Sequence, residues 1–181
     1  MQIISDVRRL EDLYGPPVPL ALAKVAAELT PWYREWIAQS RFMLLSTVGP
    51  DGTDVSPRGD DAAVVRIVDS KTLMLPDWHG NNRLDSLRNI VADGRVSLLF
   101  MVPGCNDVVR VNGHAVLTAD DDLTATFERK GRIPKTVIVI TVKEVYFQCP
   151  KALALARLWS GEDESARVPS VTDFVRELEA C

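Results

Sequence analysis

From Arg41 to Cys149 the sequence consists of short apolar segments separated by turn residues, and this pattern limits the fold more than any other feature. RFMLLSTVG and TDVSPRG flank the turn PDG, and AAVVRIVD and TLMLPD flank SK, so each pair predicts a β-hairpin. Further strands are predicted at RVSLLFMVPG, VVRVNGHAVLTA and TVIVITVKEVYFQC. Strands joined mainly as hairpins favour a small antiparallel barrel. A parallel dinucleotide-binding sheet would need alternating helices and a G-x-G-x-x-G turn, and the sequence has neither.

Helical spacing is found before, within and after this β-rich region. Three N-terminal helices are predicted, with Ser5 as the N-cap of the first, LALAKVAAEL as the second and Thr30 capping TPWYREWIAQS. In the third helix Trp32, Trp36 and Ile37 are expected to form one stripe packed on the body. NNRLDSLRNIVADG and DDLTATFERKG predict internal helices, and SVTDFVRELEAC predicts an amphipathic helix at the C-terminus.

These elements predict a mainly β domain with helices at both ends. We expect a single domain over residues 1–181, in which residues 1–40 form a helical extension, 41–150 the barrel and 151–181 a C-terminal helical segment. A chain of 181 residues is long enough to bury one hydrophobic core.

The charge balance limits the possible partners. With 21 Lys and Arg against 25 Asp and Glu, the net charge is −4, which argues against a nucleic-acid or membrane-surface partner. Cys105, Cys149 and Cys181 are widely spaced, so neither a disulfide framework nor a metal site is predicted. Polar residues interrupt the N-terminus before an apolar run could form a signal sequence, and we expect a cytoplasmic protein.

Two segments could together form a phosphate site. SPRGD places Ser56 and Arg58 at the end of a strand, and NNRLDSLRN places Asn82, Arg83 and Ser86 around a helix start capped by one of its asparagines. Free backbone amides, hydroxyls and guanidinium groups are the donors that bind phosphate. An alternative from the same residues is surface ion pairing, in which Arg58 pairs with Asp60 or Asp61 and Arg83 with Asp85 or Asp77.

Taken in order, SRFMLLSTVGPDGTDVSPRGD, TLMLPDWHGNNRLDSLRNIVADGRVSLLFMVPG, RVNGHAVLT and VYFQCPKALALARLW resemble the pyridoxamine 5′-phosphate oxidase-like family. More narrowly, the chain resembles a subgroup of probable FMN-dependent enzymes with a helical N-terminal extension. The resemblance implies a split β-barrel that binds FMN at a homodimer interface. It places the flavin phosphate against Arg58 and Ser56 of the strand, and against Asn82, Arg83 and Ser86 around the helix.

The same resemblance implies contacts to the flavin ring. Leu75, Pro76 and Asp77 would lie beside the isoalloxazine, and Lys151, Arg157 and Trp159 would reach the flavin from the C-terminal segment, in many members that of the partner subunit. The chain departs from the family pattern at three places, one of them FQC, where a histidine often precedes the cysteine. Asp61-Ala62-Ala63 replaces a Pro-Gly pair, and Trp78-His79 replaces Arg-Pro, so the loop and the substrate pocket are expected to differ.

Two functions remain open on the sequence. The first is an FMN-dependent oxidoreductase with an unknown substrate, in which the flavin carries the electrons and no catalytic residue is assigned. The second is a flavin-binding carrier, sensor or stress protein without turnover. A third hypothesis changes the ligand: a deazaflavin or haem would bind in the same barrel. Haem is disfavoured because the chain has only two histidines, His79 and His114. Cys149 is expected to be a small buried residue rather than a redox thiol.

Overall fold

The computed structural model describes residues 1–180. Seven β-strands are formed: β1 (Phe42–Gly49), β2 (Gly52–Gly59), β3 (Arg66–Ile67), β4 (Thr72–Asp77), β5 (Arg95–Met101), β6 (Val108–Thr118) and β7 (Thr136–Gln148). Seven α-helices accompany them: α1 (Val7–Tyr14), α2 (Pro19–Ala23), α3 (Pro31–Ala38), α4 (Asp85–Ala92), α5 (Asp121–Ala125), α6 (Lys151–Ala156) and α7 (Val171–Glu179), with a 3-10 turn at Ser165–Arg167. The fold class is therefore mainly β with helices at both ends, as the sequence predicts.

The strands form one antiparallel sheet in the order β2-β1-β5-β6-β7-β4-β3. The sheet curls around a core in which side chains such as Met43, Leu98 and Ile138 are fully buried. The edge strands β2 and β3 share no backbone ladder among the described residues, and β3 pairs with only two residues of β4, so the barrel is open between β2 and the rest of β4. This opening, which we call the split, is what makes the fold a split barrel.

The alternation along β2 explains which residues reach the split. Asp54, Ser56 and Arg58 are half-buried, and the residues between them are exposed, as expected of a strand whose successive side chains point to opposite faces. Pro57 lies within β2, which pairs only with β1. Proline lacks the amide hydrogen needed for a ladder and is accepted in edge strands.

The N-terminal extension differs from the prediction in its second helix. LALAKVAAEL is not one long helix, because α2 ends at Ala23 and Ala26 joins the sheet by two backbone hydrogen bonds with Val145, of 2.9 and 2.8 Å. The N-cap of α1 is Asp6 rather than Ser5. Thr30 caps α3 as predicted.

Other local predictions were partly wrong. In the third helix Ile37 is fully buried, but Trp32 is 79% exposed and does not pack on the body. AAVVRIVD forms only the two-residue strand β3, while Val64 and Val65 are buried in the core. The amphipathic C-terminal helix is present as α7, and its apolar side chains are exposed in the single chain. No helix within residues 1–180 is both long and apolar enough to cross a membrane.

Candidate functional site

A groove with a volume of about 880 Å³ lies along the split. This volume falls within the range of roughly 300–1,000 Å³ that is common for small-molecule sites. Its walls are β2, the end of β4 with the loop that follows, the first turn of α4, and the start of β7. The lining residues used below are Asp54, Ser56, Arg58, Asp60, Leu75, Pro76, Asp77, Trp78, His79, Asn81, Asn82, Arg83, Leu84, Asp85, Ser86, Lys135 and Thr136.

One wall of the groove comes from β2 and the residues directly after it. Asp54, Ser56, Arg58 and Asp60 all line the groove at a spacing of two residues. At the usual strand rise the first and third of these are about 13 Å apart along the chain. The groove is therefore elongated, and its two ends can contact different parts of one ligand.

Arg58 connects the two strands that face each other across the split. Its Nη1 donates a hydrogen bond to Oδ1 of Asp77 on β4, at 2.7 Å, and both side chains are about four-fifths buried. The alternative pairing of Arg58 with Asp60 or Asp61 is not the one observed. The Nε atom of Arg58 is buried and has no hydrogen-bond partner, so this guanidinium retains a donor that the protein does not satisfy.

One end of the groove, which we call the α4 end, is formed by the start of α4. The asparagines do not cap this helix as predicted, because Oδ1 of Asn81 instead accepts a hydrogen bond from the backbone amide of Arg83, at 3.1 Å, in the preceding loop. Asn82 and Leu84 have positive φ angles of 60° and 62°. Leu84 occupies the N-cap position without a side-chain hydrogen bond, so the first turn of α4 faces the groove uncapped.

Two polar side chains at this end are engaged within the protein. Ser86 is buried, and its hydroxyl donates to Oδ2 of Asp54, at 2.7 Å. Arg83 is paired with Asp85, at 2.9 Å between Nε and Oδ2, as the surface-pair alternative predicts. This guanidinium is 75% exposed, and an exposed pair of this kind contributes little stability and is easily rearranged.

The far end of the groove, away from α4, was not predicted in detail. Trp78 and His79 line it together with Lys135 and Thr136 at the start of β7. The Oγ1 atom of Thr136 is buried without a hydrogen-bond partner. Arg58 and this threonine supply the only two buried side-chain polar atoms without a partner in the described chain, and both residues line the groove.

Arg129 lies behind this far end, outside the groove, and contacts residues of its wall. Its guanidinium is ion-paired with Asp60, lies 3.3 Å from a carboxylate oxygen of Asp61, and stands 5.7 Å from the centre of the Trp78 ring. Burial of the Asp60 carboxyl opposes its ionisation, but hydrogen bonds from Asp61, Arg129 and the backbone of Ala62 outweigh burial and hold its pKa below the ordinary value. Asp60 is therefore fixed as a carboxylate.

The structure places most of the predicted site residues together. Eight of them line the groove: Ser56, Arg58, Leu75, Pro76, Asp77, Asn82, Arg83 and Ser86. Their roles toward a ligand stay predictions. Lys151, Arg157 and Trp159 do not line the groove of their own chain.

The three C-terminal candidates are held elsewhere in the single chain. Lys151 begins α6, Arg157 ends it and pairs with Glu162 at 2.6 Å, and the indole of Trp159 donates to the backbone carbonyl of Cys105 at 2.9 Å. That they reach the flavin of a partner subunit stays a prediction. The prediction that Cys149 is buried was wrong, because it follows β7 directly and is exposed.

Several groove residues have no recognisable sequence motif. Asp54 could have been found, because it precedes Ser56 and Arg58 at the spacing of one strand face. Lys135 and Thr136 could not, nor could Arg129 outside the groove, since all three come from the part of the chain that follows α5 and is distant in sequence from the two motifs. Among the described residues no group of three His, Cys, Asp or Glu side chains is arranged to hold a metal ion.

The central part of the chain matches a known protein family. Residues 29–149 match the family model of pyridoxamine 5′-phosphate oxidase. The chain belongs to this family. The matched residues contain the whole sheet and α4, and therefore every wall of the groove, whereas α1, α2, α6 and α7 lie outside the match.

Several solved structures share the fold of this chain. A variant of HupZ from Group A Streptococcus is 18% identical with a TM-score of 0.55, over 66% of this chain and 99% of that one. A candidate pyridoxamine 5′-phosphate oxidase from Lactobacillus delbrueckii is 22% identical with a TM-score of 0.52, over 67% and 95%. A protein from Clostridium acetobutylicum, related to general stress protein 26 of Bacillus subtilis, is 12% identical with a TM-score of 0.50, over 64% and 84%.

At these identities the likeness to solved structures shows the fold of the pyridoxamine 5′-phosphate oxidase family and nothing finer. A comparison with curated proteins gives no match. The chemistry of the groove therefore has to be argued from its own residues.

Proposed function

We propose that this chain binds FMN in the groove along the split, as a homodimer with the flavin at the subunit interface, and that it acts as a flavin-dependent oxidoreductase. The observation that carries the proposal is the groove itself. It is elongated, has hydroxyl, amide and guanidinium donors at the end formed by α4, and has apolar Leu75 and Pro76 in the opposite wall. A ligand with an anionic tail and a flat ring system matches this division.

The unsatisfied donors support a ligand of this kind. Buried polar atoms are nearly always hydrogen-bonded in proteins. The exceptions here are Nε of Arg58 and Oγ1 of Thr136, both in residues of the groove wall. An arginine with a free donor in the middle of the groove and a helix start without a side-chain cap at one end both offer donors to an anionic group. The residues present therefore fit FMN.

Each wall would hold a different part of the cofactor. Ser56 and Arg58 of β2 and Asn82, Arg83 and Ser86 around the start of α4 would hold the phosphate. Leu75, Pro76 and Asp77 would border the ring. When bound, FMN supplies hydride or single-electron transfer, and the protein positions it and excludes water from one face.

A homodimer is proposed from the outer face of the sheet. Pro57, Leu44 and Leu99 lie side by side on adjacent strands, on the face opposite the core, and are only partly covered. An apolar row of this kind is covered economically by the same row of a second copy. In the proposed homodimer three side chains of the other chain would approach the flavin. They are Lys151 of the partner subunit, Arg157 of the partner subunit and Trp159 of the partner subunit.

A carrier, sensor or stress protein is the second candidate, and one observation favours it. Two carboxylates of the groove wall are already bonded to protein donors, Asp54 to Ser86 at the α4 end and Asp77 to Arg58 in the middle. Neither is free to accept a proton from a substrate without breaking that contact. Binding without turnover needs no free base, so this observation favours the second candidate, and a turnover assay decides between the two functions.

Absorbance spectroscopy of the purified protein, loaded with FMN where none co-purifies, tests the proposal. We expect two flavin bands, release of FMN on denaturation, and reoxidation of the reduced flavin in the presence of an acceptor. Bound flavin that neither NAD(P)H nor a panel of small acceptors turns over would favour the carrier. Bands of a deazaflavin or of haem, or no binding at all, would contradict FMN as the cofactor. A monomer by light scattering at micromolar concentration would contradict the shared site.

A further inference from the structure

The side chains of Asp61 and Trp78 meet at one residue in the structure. These positions are separated along the chain, yet both side chains contact the guanidinium of Arg129. Arg129 also pairs with Asp60, whose side chain is only 10% exposed and which lines the groove. Asp60, Asp61, Trp78 and Arg129 therefore form one connected group at the far end of the groove.

The backbone around Arg129 holds it in a defined position. Its amide and carbonyl exchange two hydrogen bonds of 2.9 Å with Arg132, which closes a tight turn over Lys130 and Gly131. Both central residues of this turn have positive φ, at 50° and 76°, the geometry of a two-residue hairpin turn. The guanidinium thus projects from a stiff turn rather than from an open loop.

We propose that Arg129 is a positioning residue that holds Trp78 and the Asp60–Asp61 turn in place as the far wall of the groove, and so determines which ring system the groove accepts. One guanidinium can do this because its planar fork pairs with carboxylates while its face covers an aromatic ring. Arg129 itself does not line the groove, so it acts through Asp60 and Trp78. This inference rests on the proposed flavin-binding function.

The two ends of the ligand should depend on different arginines. If the phosphate lies at the α4 end, Arg83 affects only ligands with a phosphate. Arg129, at the other end, affects every ligand that carries the ring. FMN and riboflavin differ only in the phosphate, so the pair of ligands separates these two effects.

The experiment measures the dissociation constants of FMN and riboflavin for the full-length protein and its variants. We expect Arg129→Ala to weaken both ligands by about tenfold, the equivalent of one charge-assisted contact, with their affinity ratio unchanged. Arg83→Ala should weaken FMN alone. The visible circular dichroism of bound flavin should change in Arg129→Ala and change in the same way in Trp78→Leu, and the double variant should show no further loss.

Arg132→Ala is the matched control, because it removes the same charge from the same turn, and Arg132 has no ion pair among residues 1–180. We expect it to bind both flavins like the wild type. Arg129→Gln replaces the alanine variant if that one does not fold, with the same expected losses. An Arg129 variant that binds both flavins with wild-type affinity and dichroism, or a control that loses as much, would overturn the positioning role alone. A wild-type protein that binds neither flavin would overturn the proposed function and this role with it.

Discussion

Arg58 and Asp77 lie on β2 and β4, which are not adjacent in the sheet, and their side chains meet at 2.7 Å across the split. This ion pair joins two strands that share no backbone ladder. It also forms the middle of the groove, between the uncapped start of α4 and the group around Arg129. The same contact therefore contributes to the stability of the barrel and to the shape of the site.

The Arg58–Asp77 pair should be coupled in its contribution to stability. In a double-mutant cycle of Arg58→Ala and Asp77→Ala, we expect a coupling free energy of unfolding of about 1–2 kcal/mol, because the pair is mostly buried and hydrogen-bonded. Urea denaturation of the four proteins without ligand measures it. The exposed pair of Arg83 and Asp85 is the control, with an expected coupling below about 0.5 kcal/mol. Equal coupling in the two cycles would mean that burial of the Arg58–Asp77 pair does not increase its coupling free energy.

Arg58 and Arg83 should each contribute to the affinity for FMN. Arg58→Ala or Arg83→Ala is expected to weaken FMN about tenfold to a hundredfold, which corresponds to about 1.5–3 kcal/mol for a charge-assisted contact. Isothermal titration calorimetry gives the constants. Arg88→Ala, on the same helix as Ser86 and outside the groove, should leave them unchanged. Retention of full FMN affinity by both variants in a folded protein would show that the phosphate binds elsewhere.

Asp54 should oppose phosphate binding. Its carboxylate accepts the hydroxyl hydrogen of Ser86 and places a negative charge at the phosphate end. We expect Asp54→Asn to raise the affinity for FMN by about threefold to tenfold, because a like charge nearby disfavours an anion, and to leave riboflavin affinity unchanged. Asp51→Asn, in the exposed turn of the same hairpin, is the control. A loss of FMN affinity in Asp54→Asn would instead assign Asp54 a direct role in holding the ligand.

The contribution of Arg129 to stability should depend on pH. The pKa of Asp60 is lowered in the folded protein, so its stabilising effect is present above the unfolded value of about 4 and is lost as the pH falls through the folded value. The difference in unfolding free energy between wild type and Arg129→Ala should therefore be constant from pH 7 to about pH 5 and shrink below about pH 4. Urea denaturation at pH 7, 5, 4 and 3 measures it. A difference that stays constant to pH 3 would mean that Asp60 is not the partner that matters.

Lys151 should act on flavin chemistry rather than on flavin binding. A cation near the flavin of the partner subunit would stabilise the reduced, anionic form, so Lys151→Ala is expected to lower the reduction potential while FMN affinity changes little. Potentiometric titration of the bound flavin measures the shift. Lys71→Ala, an exposed surface change, is the control. An unchanged potential would remove Lys151 from the flavin edge.

Strand periodicity predicted the fold and half of the groove. The hairpin pattern placed Ser56 and Arg58 at the end of a strand, and the helix pattern of NNRLDSLRN placed Ser86 at a helix start. The partner of Arg58 was not predictable. Local spacing favoured Asp60 or Asp61, whereas the curvature of the whole sheet brings Asp77 to it.

Long-range contacts and the angular spacing of residues around a helix account for the other errors. Nothing in the sequence near Arg129 indicates that it reaches Asp60, because that contact depends on how a turn 69 residues away is placed. The stripe of α3 failed for a geometric reason. At 100° per residue, Trp32 and Ile37 are about 140° apart around the helix, so both cannot face the same core. Ile37 is buried and Trp32 is not.

Pro57 has a consequence for the way the barrel keeps its opening. A free strand edge normally recruits another strand, and two such edges facing each other would tend to zip together and eliminate the space between them. A proline midway along β2 cannot donate to such a pairing, so a continuous ladder across the gap cannot form. The absence of an amide hydrogen on Pro57 thus helps to keep the split open. Side chains and any bound molecule then determine the width of the split.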